Sequence, residues 1–199
     1  MKVTAILLKW KREKELEQII SKLEHTKEID EILVFDNTKI NLCGFWRYYG
    51  TLEAKNEIIY VQDDDVLVYN IPELITKYEN LKNKGKEQIV NNMTVTGHPK
   101  YNKYKQTLMG WGSLYNKNWV GILNKYIKIY GIDELLLRDT SRIFTGLMGE
   151  WDSIIVQEGK DIVSFPSASS KESALCMQTN HEKNRVESMK RIEYLRCLK

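Results

Sequence analysis

The sequence predicts an α/β fold built on an open, mostly parallel sheet flanked by helices. Three observations predict it. Val3–Leu8, Ile32–Phe35 and Ile58–Val61 are short, continuous apolar runs. They lack the alternation of a half-exposed strand, so each reads as a strand covered on both faces. Leu16, Ile19, Ile20 and Leu23 fall at helical spacing between the first two runs. Strand, helix and strand within about forty residues make a βαβ unit with a right-handed crossover.

The elements follow in order. A second helical stretch around Trp46–Ala54 feeds the third strand, so the first third reads β-α-β-α-β. Pro72–Lys84 reads as a helix with proline in its first turn. Ile89–Thr96 reads as a strand, and Gly97–Lys105, with Pro99 and its basic residues, as a loop. Leu108–Tyr115 alternates around Gly110 and Gly112, which suggests an irregular strand approached closely by backbone or ligand. Trp119–Tyr130 has an amphipathic helical pattern, and Asp139–Leu147 reads as a helix with Asp139 at or near its start. Ser167–Ser173 is small, polar and expected to be mobile. From Glu182 the pattern is helical, with Val186, Met189, Ile192 and Leu195 on one face. Neither an internal repeat nor a dividing linker is evident.

Composition narrows the function. The 199 residues are 42% apolar and 29% charged, with 30 basic residues against 27 acidic and a formal charge of +3. That is ordinary for a water-exposed globular chain and argues against a nucleic-acid binder. Three cysteines, Cys43, Cys176 and Cys197, have no paired spacing, so reduced thiols and a cytoplasmic location are expected. The N-terminal apolar run is too short for a signal-peptide core or a membrane span.

The conspicuous motif is Asp63-Asp64-Asp65, directly after Ile58–Val61. Three adjacent carboxylates repel each other and resist burial unless something cancels their charge. In open α/β sheets, ligands bind beyond the carboxyl ends of the strands. Lys9–Arg12, Asp36-Asn37 and Asp63–Asp65 are three such ends and should lie on one edge. Alternate residues can point to one side, so Asp63 and Asp65 can share a hard divalent cation, Mn2+ or Mg2+, completed by substrate phosphates.

The order "VTAILLKWKR", "ILVFDN", "IIYVQDDDV", "LMGWGSLYNKNWV" and "RDTSRIFTGLMG" resembles glycosyltransferases of the GT-A fold, a Rossmann-like mostly parallel sheet flanked by helices. It is most similar to small exostosin-like catalytic domains and compact viral and bacterial transferases, from Val3 to about Arg185. The resemblance implies one catalytic domain over 1–199, its nucleotide-binding part at about 1–68 and its acceptor side at about 69–199. It implies a sugar moved from a nucleotide-diphosphate sugar, UDP-sugar first, to a glycan hydroxyl. The Asp-x-Asp signature implies Asp65 and Asp63 on Mn2+ or Mg2+, with Asp64 near the ribose or donor sugar.

The same resemblance places Lys9, Trp10 and Arg12, with Asp36 and Asn37, around base and ribose. Arg47 corresponds to a basic residue that meets nucleotide or phosphates, or else is a solvated helix charge. Asp139 corresponds to an acidic residue facing the sugars: a general base in an inverting enzyme, an N-cap, or both. Arg138 and Arg142 flank it and would keep it ionised, or else Arg142 is a structural residue. His181 corresponds to a C-terminal metal ligand, and Lys183 and Arg185 to diphosphate contacts made when 167–180 closes. Trp111 is a candidate acceptor platform or a core tryptophan; His98 is an acceptor-side or surface residue. Further domains of a longer polypeptide remain open. Two rivals stand beside this reading. One is a sugar nucleotidyltransferase, which the glycine-free "KWKREKE" disfavours. The other is a nucleotide-sugar-binding module without turnover.

Overall fold

The computed structural model describes residues 1–94, 107–169 and 181–198. Strand β1 (Val3–Lys9), helix α1 (Glu13–Glu24) and β2 (Ile29–Asp36) form the expected βαβ unit. β1 pairs in parallel with β2, Lys9 opposite Asp36, and with β3 (Ile58–Val61), Ile6 opposite Val61. The three strand ends therefore do share an edge. The stretch between β2 and β3 is more broken than expected: a 3-10 turn at Cys43–Phe45, a short α2 (Trp46–Tyr49) and a second 3-10 turn at Gly50–Glu53.

After the acidic turn come β4 (Val66–Val68), α3 (Ile71–Asn83) and β5 (Ile89–Thr94). The expected Leu108–Tyr115 strand is regular only as β6 (Ser113–Asn116). A 3-10 turn at Lys117–Ile122 opens what was expected as one helix, leaving α4 (Leu123–Tyr130). Helix α5 (Glu134–Met148) starts earlier than expected, because the Asp133 carboxylate caps it by accepting from the Leu136 amide at 2.9 Å. The chain does break at Asp139 (φ −118, ψ 23). There the Thr140 hydroxyl bonds back to the Leu136 carbonyl, a contact that bends helices. Strands β7 (Trp151–Val156) and β8 (Ile162–Ser164) follow, and α6 (His181–Cys197) closes the chain.

The main sheet has the order β2-β1-β3-β6-β5-β7, with β6 antiparallel to its neighbours and the other adjacent pairs parallel. β4 and β8 form a separate antiparallel pair beside the acidic turn. Alternation along the buried strands feeds two cores. Ala5, Leu7, Tyr60, Val90 and Leu114 pack with α1 and α3. Ile6, Ile59, Val61, Ile89 and Tyr115 pack with Phe45, Tyr48, α5 and α6. Tyr48, Tyr115 and Phe144 meet at centroid distances of 4.8 to 5.9 Å. Both cores grip one sheet, so its carboxyl edge is held rigidly. Among the described residues no helix is long and apolar enough to cross a membrane.

Candidate functional site

The acidic turn is held from below, from behind and from the side. Below, the Tyr60 hydroxyl donates to Gln62 Oε1 at 2.8 Å, and Gln62 Nε2 donates to the Val66 carbonyl at 2.7 Å. Gln62 is 2% exposed, so its amide ties β3 to β4 across the turn without water. Behind it, Arg47 Nη2 donates to Asp63 Oδ1 at 2.5 Å and to the Gln62 carbonyl at 3.2 Å. At the side, Arg12 Nη1 meets Asp64 Oδ1 at 2.5 Å. Arg12 Nη2 reaches the Ser167 carbonyl at 3.1 Å and lies 3.8 Å from Asp65 Oδ2.

Two guanidinium ions thus face three carboxyl groups, so one carboxyl lacks a full counter-charge. That carboxyl belongs to Asp65. Burial first, then the Asp63 charge, pushes its carboxyl up to about 7 against the opposing pull of Arg12. Burial also pushes Asp64 up, although Arg12 opposes it at contact distance. Phe165 donates to the Asp65 carbonyl at 2.8 Å, so the chain after β8 is strapped onto the turn.

Arg12 and Arg47 differ from the expectation. They are 6% and 4% exposed, and their guanidinium groups are engaged by the turn itself. They support the carboxylates from within the fold. Asn37 is likewise structural: at 3% exposure, it donates to the Cys43 carbonyl at 3.0 Å and accepts from the Leu42 amide at 3.2 Å, closing the 37–43 loop. Asp36 is exposed and accepts from the Thr38 amide and hydroxyl, which hold its carboxyl below the usual range. Lys9 pairs with Glu13 at 2.7 Å. Trp10 is half-buried at the rim, with the Lys11 ammonium 5.3 Å from its ring.

The acceptor-side candidates separate. Trp111 is half-buried and packs against the core under α1 and α3, keeping part of its surface accessible. His98 lies outside the described residues. Asp139 sits at the α5 kink, where Arg142 Nε donates to both carboxylate oxygens at 3.0 and 3.2 Å. Arg142 is 4% exposed, so Asp139 is oriented by a buried partner rather than acting as the helix cap. His181 begins α6, but its side chain lies outside the described residues. Arg185 lies on the first turns of α6 with Glu182 at 3.7 Å. Among the described residues, no group of three or more His, Cys, Asp or Glu is arranged to hold a metal ion.

Sequence reasoning missed Asn91 and Asn92, which face opposite sides of β5 beside the site and are fully buried. A signal existed: asparagine is depleted in strands, and two stand together inside the apolar "QIVNNMTV".

A βαβαβ start, a lone antiparallel strand and an acidic turn at the carboxyl edge define the GT-A fold. Among solved structures, the chain is similar to glucosyl-3-phosphoglycerate synthase from Mycobacterium tuberculosis with Mn2+, UDP-glucose and phosphoglyceric acid. The match has 10% identity and TM-score 0.55, covering 95% of this chain and 80% of that one. TarS 1–349 of S. aureus matches at 10% identity and TM-score 0.51, covering 98% and 71%. The synthase bound to Mg2+ and UDP matches over 66% of each chain, at TM-score 0.44. No family model matches the chain, and no curated protein matches it either. The exostosin-like detail rests on the sequence resemblance alone.

Proposed function

We propose that the protein is a metal-dependent glycosyltransferase, taking a sugar from a nucleotide-diphosphate sugar, UDP-sugar first, to a hydroxyl of a glycan acceptor. The observation that carries this reading is the cluster of three carboxylates at the carboxyl edge of a GT-A sheet, where Asp65 is the one without a close guanidinium partner, Arg12 lying 3.8 Å away. Burial and two neighbouring aspartates disfavour the charge of Asp65, and a hard divalent cation is the ligand that would relieve it. Asp65 would hold Mn2+ or Mg2+, with Asp63 on its exposed side and His181 as a further candidate. The similar synthase was solved with Mn2+ and UDP-glucose, which supports this donor chemistry. When bound, the cation supplies charge stabilisation for the departing diphosphate.

The chain's own residues supply the rest. Arg12 and Arg47 hold Asp64 and Asp63 in place by direct ion pairs. Trp10, Lys9 and Asp36 border the nucleotide, while Trp111 borders the acceptor. Asp139, held by Arg142, takes the acceptor proton as that oxygen bonds the anomeric carbon and the bond to the nucleoside diphosphate breaks. Arg185 approaches the diphosphate from α6. The 1–199 chain acts as one catalytic domain, and its free Cys43 and Cys197 suit a reducing, cytoplasmic compartment.

A binding module without turnover is favoured by one observation: internal arginines already neutralise two of the three carboxylates. A thermal-shift panel of UDP-, GDP- and dTDP-sugars, with and without Mn2+, tests the donor site. Stabilisation by one nucleotide, dependent on metal and lost in Asp65→Ala, is the expected result. No metal-dependent shift with any donor overturns the reading. A shift without product release, across a panel of glycan acceptors, selects the binding module.

A further inference from the structure

Residues 108–112, just before β6, have no regular structure, yet the carbonyls of this stretch are all engaged. Five consecutive carbonyls accept hydrogen bonds. Leu108 accepts from Asn91 Nδ2 and from the Ser113 hydroxyl, each at 3.2 Å. Met109 accepts from the same hydroxyl at 3.1 Å. Gly110 accepts from the Asp63 amide at 2.8 Å. Trp111 accepts from Asn92 Nδ2 at 2.8 Å, and Gly112 from the Asn92 amide at 3.1 Å. An irregular loop usually leaves such groups to water; here buried protein donors take them all.

Asn92 is the centre of this arrangement. Its amide forms a reciprocal pair with Asn70, at 2.8 and 3.0 Å, just before α3. The residues are 0% and 7% exposed, so each lost bond leaves an orphaned polar group. Both glycines are needed at the contact. A Cβ on Gly110 would lie 1.9 Å from Asp63 Oδ2. Gly112 has φ +90, and a Cβ there would lie 3.0 Å from the Tyr60 hydroxyl and 3.2 Å from Asn92 Nδ2. The acidic turn and the indole of Trp111 are therefore carried by one bracket anchored on Asn92.

We infer that Asn92, braced by Asn70, is a positioning residue that fixes Asp63 and Trp111 relative to each other, and so sets donor metal site and acceptor platform in register. This rests on the glycosyltransferase reading for its purpose, though not for its geometry. Asn91 supports the same bracket from the other face, its Oδ1 taken by the Ser153 hydroxyl at 2.8 Å.

The test is hydrogen exchange at the Asp63 amide together with calorimetric binding of UDP in Mn2+. Asn92→Ala is compared with Asn116→Ala, a buried asparagine at the opposite end of the sheet that bonds Glu57 and Glu87. Asn92→Ala is expected to speed Asp63 exchange at least tenfold and weaken Mn2+–UDP binding about tenfold. Asn116→Ala should do neither at a comparable loss of melting temperature. If Asn92→Ala does not fold, Asn70→Ala carries the test, with the same effects in the same direction. Exchange at Asp63 no faster than in Asn116→Ala overturns the bracket. Wild-type binding that Asn92→Ala leaves unchanged overturns the positioning role alone. Absence of Mn2+–UDP binding in the wild type overturns the underlying function, and the role with it, whatever the exchange shows.

Discussion

Asp63 and Asp65 share one turn and stand in opposite electrostatic situations. The Asp63 side chain is 45% exposed and neutralises Arg47, whose guanidinium is buried. Removing the carboxylate strands that cation, so Asp63→Ala should cost about 3 kcal/mol in urea unfolding. Asp65 has the reverse sign. Its carboxyl, pushed up to about 7, holds a proton in the fold that the unfolded chain releases near pH 4. Its contribution to stability is present below that range, declines as pH rises toward 7, and is gone above it. Asp65→Asn should therefore stabilise the metal-free protein by roughly 1–2 kcal/mol at pH 8, allowing for screening, and change little at pH 4. Unfolding curves at the two pH values check this; equal effects at both would remove Asp65 as the strained carboxylate. The turn was legible in the sequence, because three adjacent carboxylates demand a counter-charge. Its counter-ions were not. Arg12 lies 52 positions from Asp64 and Arg47 lies 16 from Asp63, and neither local sequence marks a buried guanidinium.

At the scale of elements, α5 and α6 meet through a glycine. A Cβ on Gly146 would lie 2.6 Å from Ile192 Cδ1, so the helices are as close as a bare backbone allows. Gly146→Val should lower stability by about 1–3 kcal/mol through overpacking. Ile192→Ala costs about 2–5 kcal/mol alone, since Ile192 is fully buried. The double variant should be less destabilised than the sum, and a double-mutant cycle in urea measures that coupling. Strict additivity would mean the two side chains do not compete for space. Elements with clear patterns were readable: β1, α1, β3 and α3 stand within a few positions of expectation, as does α6, although Val186 is exposed and only Met189, Ile192 and Leu195 of its expected face are buried. The missed strands have physical reasons. β4 and β8 have three residues each and exist only through pairing across nearly a hundred positions. β7 mixes polar and apolar residues at the sheet edge, where neither a buried nor a half-buried pattern develops. The early start of α5 was hidden because Asp133, rather than Asp139, caps it.

Across the whole molecule, two cores on one sheet make the carboxyl edge part of the cooperative unit, so events at the acidic turn should register in global melting. Above pH 7, where Asp65 is ionised, the turn carries one net negative charge beside two internally engaged arginines. A nucleoside diphosphate brings more negative charge to the same edge, so UDP alone should bind poorly. Mn2+ cancels both charges at once, which makes metal and nucleotide mutually reinforcing ligands. At a hundredfold excess over the dissociation constant, Mn2+ with UDP should stabilise the fold by about 2.7 kcal/mol. For a chain of 199 residues that is a melting shift of roughly 5–10 °C. UDP without metal, and metal without UDP, should each give well under half of it. Lowering the pH from 8 to 6 should weaken the combined shift, because the proton competes for Asp65. If Asp139 is the proposed base for the acceptor proton, Asp139→Asn should leave the shift intact while abolishing transfer. An equal shift from UDP alone would mean that the edge already carries enough positive charge for a diphosphate, and that Asp65 does not need the cation.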